Sequence, residues 1–100
     1  MYLVKFTKQA EKDMKFIKRA GFEKKTKSLL NLIQNNPFQT PPEYEKLLWD
    51  LRGSFSRRIN IQHRLVYEVY ENTENILSPD GTPYDGIVRV IRMWTHYEQK

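Results

Sequence analysis

One hundred residues, 39% of them hydrophobic and thirteen aromatic, are enough for one small folded domain, residues 1–100, and no more. There is no cysteine, which excludes a disulfide framework, a thiolate metal site and a cysteine nucleophile; the opening Met-Tyr-Leu-Val-Lys-Phe is too short and polar for a signal peptide, no apolar run is long enough for a bilayer, and a cytoplasmic location is expected. The net charge of +5 is concentrated in residues 1–30, where nine Lys and Arg face only Glu11, Asp13 and Glu23, so that end is expected to attract polyanions by counterion release.

The first expected element is a short strand, Tyr2 to Phe6. Thr7 suits the N-cap of a helix running to about Arg19. In it Ala10, Met14 and Ile17 share one face, and Lys8, Lys12, Lys15 and Arg19 form a narrow stripe on the opposite one. Gly21 is a natural stop. A second helix, about Glu23 to Gln34, would bury Leu29, Leu30 and Ile33 and turn Lys24 and Lys27 outward, ending at Asn35-Asn36-Pro37. Residues 37–44 read as a proline-rich loop. A strand from Phe55 to Ile61 would point Ile59 and Ile61 inward and Arg58 and Asn60 outward. After a tight turn near Gln62, a strand from Arg64 to Tyr70 would point Leu65, Tyr67 and Val69 inward and Arg64, Val66 and Glu68 the other way. Glu74 to Leu77 could begin a further strand, and Ser78 to Gly86 is dense in turn residues. Ile87 to Trp94 is a β-branched strand leading into Thr95-His96-Tyr97. The order β-α-α-β-β-β, with room for one more strand, predicts an α+β fold: a helical hairpin packed on one face of a small, mostly antiparallel sheet. Arg58 and Arg64 would share the other face.

The chain has no phosphate-binding glycine loop, no HExxH and no serine elbow. Two histidines without cysteine argue against a zinc site, and no metal or other cofactor is expected. What remains is Glu, Arg, His and Tyr at sheet positions. Such groups can cleave RNA without a metal: a base takes the ribose 2′-OH proton, an acid protonates the departing 5′-oxygen, and cations stabilise the phosphate.

The chain reads Tyr44-Glu45-Lys46-Leu47, then Leu51-Arg52-Gly53-Ser54-Phe55-Ser56-Arg57-Arg58-Ile59, then His63-Arg64-Leu65-Val66-Tyr67, and closes with Trp94-Thr95-His96-Tyr97. This series resembles the YoeB/Txe toxins of the RelE/ParE superfamily, across roughly residues 43–70 and 94–97. The resemblance implies a RelE-like fold and a ribosome-dependent mRNA endoribonuclease. It implies Glu45 as general base, Arg64 on the scissile phosphate, His96 as general acid and Tyr97 as its positioning partner. Arg58 would add a second phosphate contact, with Arg57 beside it. Two positions depart from the family pattern: Leu48 stands where a lysine is common, and Trp94 replaces a common arginine, so that Trp94 could stack on a base. His63 is read as a strand-start residue despite its place in the series.

The basic stripe of Lys8, Lys12, Lys15 and Arg19, with Lys24 and Lys27, would dock on ribosomal RNA while the sheet meets the message. A cognate YefM/Axe-like antitoxin is expected as partner, folding over the basic surface. Whether the toxin also forms a homodimer is left open. Two rival readings stand beside the ribonuclease: a ParE-like toxin acting on DNA gyrase, and a basic nucleic-acid-binding module.

Overall fold

The computed structural model describes residues 1–47 and 53–94. Along them run β1 (Leu3–Phe6), α1 (Lys8–Arg19), α2 (Glu23–Asn35), β2 (Tyr44–Leu47), β3 (Ser54–Arg58), β4 (Arg64–Tyr70) and β5 (Ile87–Arg92). The strands form one sheet in the order β1-β5-β4-β3-β2. Only the β1–β5 pairing is parallel; the rest are antiparallel. The expected α+β architecture is thus present. Among the described residues, no helix is long and apolar enough to cross a membrane.

Local chemistry explains the helical hairpin. The Thr7 hydroxyl oxygen accepts from the Ala10 N–H at 3.0 Å, capping α1, and donates to the Ile91 carbonyl at 2.9 Å, which ties the cap to β5. Gly21 takes φ +83° between the helices, a conformation that costs glycine little. α1 buries Ala10, Asp13 and Ile17, and α2 buries Thr26, Leu29 and Ile33. These meet Leu65, Tyr67, Val88, Val90 and Met93 from the sheet and its end. A buried aliphatic of this size contributes about 1.5–3 kcal/mol, whereas helices of this length are marginal alone. The hairpin is therefore held by its apolar stripe.

Three expectations change. Tyr44, read as the last residue of the loop, opens the edge strand β2, which pairs Tyr44 with Arg57, Glu45 with Ser56, Lys46 with Phe55 and Leu47 with Ser54. Four residues are too few to show alternation; the pairing makes the strand. Ile61, expected in the core, is 92% exposed. β3 stops at Arg58, and the Asn60 side chain accepts from the Gln62 and His63 N–H groups, so alternation ends before Ile61. Val66 points away from the helices as expected but is fully buried. Glu74–Leu77 forms no strand beyond a single bridge of Leu77 with Pro83. Asn72 holds this region instead, accepting from the Ile76 N–H and donating to the Ile76 and Tyr84 carbonyls.

Candidate active site

Register assembles the site. In antiparallel sheets directly opposed residues share a face. Glu45 lies opposite Ser56 on β3, Ser56 lies opposite Val66 on β4, and Arg58 lies opposite Arg64. All lie on the face away from the helices. There Arg64 donates from its Nη2 to Glu45 Oε1 at 2.8 Å and from Nε to Ser56 Oγ at 2.6 Å. The Arg64 side chain is 17% exposed and Glu45 61%. The guanidinium is thus held in place by two bonds, while the carboxylate stays open to solvent. Both line a cleft of about 510 Å³, with Arg58, Tyr44 and the turn residues Asn60 and Ile61 around them. Lys25, from the first turn of α2, and Glu43, next to Tyr44, also line it. An accessible carboxylate, a fixed guanidinium and further cations in one open cleft can accept a proton beside a phosphate and stabilise the charge that grows there.

His96 and Tyr97 lie outside the described residues, as does Leu48. The strand leading toward them is anchored by Asp13, which the sequence reading passed over. Its carboxylate accepts from the Met93 N–H at 2.9 Å, the Trp94 N–H at 3.3 Å, Arg92 Nε at 3.1 Å and Gln9 Nε2 at 2.9 Å. Burial pushes the Asp13 carboxyl upward, but these bonds outweigh it and hold the group below its ordinary value. The signal was present: Asp13 falls three residues after Ala10 and four before Ile17, on the buried face. A carboxylate there requires partners across the core.

Two expected substrate contacts are used inside the protein. Arg57 is completely buried on the core face. Its Nε donates to the Tyr67 hydroxyl at 2.9 Å, and its terminal nitrogens to the carbonyls of Pro42 at 2.6 Å, Pro37 at 3.0 Å and Gln39 at 2.8 Å. Its guanidinium also lies 5.0 Å from the centre of the Tyr44 ring. Arg57 therefore holds the proline-rich loop and has no exposed surface to offer a ligand. Trp94 stacks on His63, with ring centres 4.0 Å apart, and on Phe16 at 5.5 Å. Its ring is a packing element rather than an open platform for a base. His63 itself is 6% exposed, consistent with a structural place at the start of β4.

The stripe of Lys8, Lys12, Lys15 and Arg19 is exposed along α1, as are Lys24 and Lys27 on α2. Lys27 is paired with Glu23 at 3.1 Å, and Glu23 also takes Lys18 at 3.7 Å.

A helical hairpin packed on an open, mostly antiparallel five-stranded sheet is the RelE/YoeB-like fold. The model of the YoeB-like toxin of bacterial type II toxin–antitoxin systems matches residues 6–80, and the chain belongs to this family. Toxin YoeB of Synechocystis sp. is 35% identical over 68 residues, covering 68% of this chain and 72% of that protein. Among solved structures, the YoeB/ParE toxin from Agrobacterium tumefaciens is similar with a TM-score of 0.74 at 26% identity, over 95% of this chain and 99% of that one. The YoeB dimer from Staphylococcus aureus is similar with a TM-score of 0.69 at 30% identity, over 96% of this chain and 98% of that one. The YoeB–YefM complex from the same organism is similar with a TM-score of 0.67 at 28% identity, over 97% and 99%.

Proposed function

We propose that this toxin is a ribosome-dependent endoribonuclease that cuts message at the A site and so inhibits translation. The observation that supports it most directly is the Glu45–Arg64 pair at 2.8 Å in an open cleft that Arg58 and Lys25 also line. Glu45 accepts the proton of the ribose 2′-OH. The 2′-oxygen attacks the adjacent phosphorus, and the bond to the 5′-oxygen of the next nucleotide breaks. Arg64, already next to the base, takes the phosphate oxygens as charge grows on them. Arg58 contacts the phosphate from the neighbouring strand. The departing 5′-oxygen receives its proton from His96, positioned by Tyr97, as the family resemblance implies. The products are a 2′,3′-cyclic phosphate and a 5′-hydroxyl. A 2′-OH nucleophile needs no metal-bound water, and these side chains account for both proton transfers.

The exposed α1 stripe fits docking on ribosomal RNA, because phosphate contacts orient a protein without reading sequence. The relatives solved with YefM and as a dimer support an acidic YefM-like antitoxin as partner here, and a homodimer as a second assembly. A substrate on the ribosome places the toxin in the cytoplasm.

The test is to map RNA ends after brief induction of the wild type and of Glu45→Gln. The wild type is expected to stop protein synthesis and leave 5′-hydroxyl ends within codons. Glu45→Gln is expected to lower the cleavage rate by roughly 10²–10⁴-fold. Ends bearing 5′-phosphate would overturn the 2′-OH mechanism. Arrest of DNA replication with intact message would support action on gyrase instead.

A further inference from the structure

The α2 lysines are not equivalent. Lys25 lines the cleft that holds Glu45, Arg58 and Arg64. At about 100° per residue, Lys24 and Lys27 lie roughly 100° and 200° around the helix from it. Lys27 is engaged by Glu23, and Arg64 by Glu45. Among the described residues, neither Lys25 nor Arg58 has an ion-pair partner, and both are exposed. Two cations from different elements thus line one cleft without an ion pair of their own; Glu43 lines it too, so Lys25, Arg58 and Arg64 stand against Glu43 and Glu45 and leave the cleft with an excess of positive charge. Their mutual repulsion is relieved when an anion enters.

We infer that Lys25 holds the phosphate next to the scissile one, so that the cleft grips two successive linkages of a single RNA strand. The inference rests on the reading of this cleft as the RNA site. Arg64, fixed beside the base, defines the reacting phosphate. A strand seated there presents its adjacent phosphates on either side, and the α2 wall meets one of them. An ammonium on a long stem suits this duty, because it acts as a point charge and does not demand a bidentate geometry. A contact away from the reacting bond is made equally in the ground state and the transition state. Lys25 therefore contributes to binding and leaves the chemical step unchanged. It is a positioning residue rather than a catalytic one.

The experiment measures binding of single-stranded oligoribonucleotides, 2′-O-methylated so that the nucleophile is blocked, each with one methylphosphonate linkage. Fluorescence anisotropy is read for the full protein, Lys25→Ala, Lys25→Arg and Lys24→Ala over a salt series. Lys25→Ala is expected to bind about tenfold more weakly, with a salt slope smaller by about 0.7. One neutralised linkage should weaken the wild type and leave Lys25→Ala unaffected, and it should neighbour the linkage to which Arg64→Ala is insensitive. Lys25→Arg should restore binding, and Lys24→Ala should show the wild-type linkage pattern. Losses that add at every linkage, wild-type affinity in Lys25→Ala, or no binding by the wild type would each overturn the inference. Because the oligomers cannot be cut, a protein that shows the linkage pattern but cleaves no message overturns the proposed reaction and leaves Lys25 in its place.

Discussion

Arg57→Ala should destabilise the whole domain, although its position in the motif reads as a contact to RNA. The side chain is fully buried and donates four hydrogen bonds, three of them to carbonyls of residues 37–42. Hydrogen bonds from a charged donor are worth about 1.5–3 kcal/mol each, so the gross loss is several kcal/mol. Against this stands the cost of keeping a guanidinium out of water, itself several kcal/mol. Truncation also leaves the Tyr67 hydroxyl and the Pro37 carbonyl with each other alone, at 2.7 Å. A net loss of about 3–5 kcal/mol follows, the scale seen when one member of a buried charged contact is removed. Domains of this size have about 5–15 kcal/mol in total. Even the low end lowers Tm by roughly 12–24 °C. Arg57→Lys keeps the charge but cannot reach four acceptors from one nitrogen, and should fall between. Urea unfolding followed by tryptophan fluorescence reads the midpoints, with an unchanged m-value as the check on two-state behaviour. If Arg57→Ala unfolds at the wild-type midpoint and only its affinity for RNA falls, the buried role is wrong and the motif reading is right.

Asp13→Asn should cost about 1.5–3 kcal/mol at neutral pH through weaker acceptance from Met93, Trp94 and Arg92. The folded Asp13 carboxyl sits below its ordinary value of 3.8, so its contribution is present above that value and fades as pH falls through the lower folded one. The two proteins should therefore converge in stability toward strong acid; a gap that stays constant from pH 7 to acid would refute the linkage. Reversing Lys8, Lys12 and Lys15 to Glu should weaken ribosome binding, with a salt slope smaller by about 0.7–0.9 per lost contact and the same codon choice; wild-type binding across the titration would leave the stripe as a solvated helix face. Gly86→Ala would place its Cβ 2.8 Å from both the Tyr70 carbonyl and the Tyr2 ring, so a loss of about 1–3 kcal/mol is expected, seen as a lowered Tm; a Tm equal to wild type would show that this corner relaxes without strain.

What the chain settles by itself is what depends on near neighbours. Thr7, the apolar spacing from Ala10 to Ile17 and Gly21 define α1 within a few residues, because capping, periodicity and left-handed turns are local chemistry. β4 was legible for the same reason: Leu65, Tyr67 and Val69 recur at every second position over a seven-residue strand. The motif series placed Glu45 and Arg64 in one site, and their side chains do meet. β2 has no such pattern, and only its partner β3 makes it a strand and brings Glu45 within 2.8 Å of Arg64. Alternation continues through Ile61 on paper but ends at the turn that Asn60 holds. Arg57 and Arg58 look alike in sequence. Strand parity sends them to opposite faces, and the carbonyls of a distant loop make the inward one tolerable. The same holds for Asp13, whose partners on the β5 end lie about eighty residues away, and for Lys25, which belongs to the cleft only because α2 begins beside the β3–β4 turn. Each of these depends on groups far apart in the chain meeting in space, which no local pattern encodes.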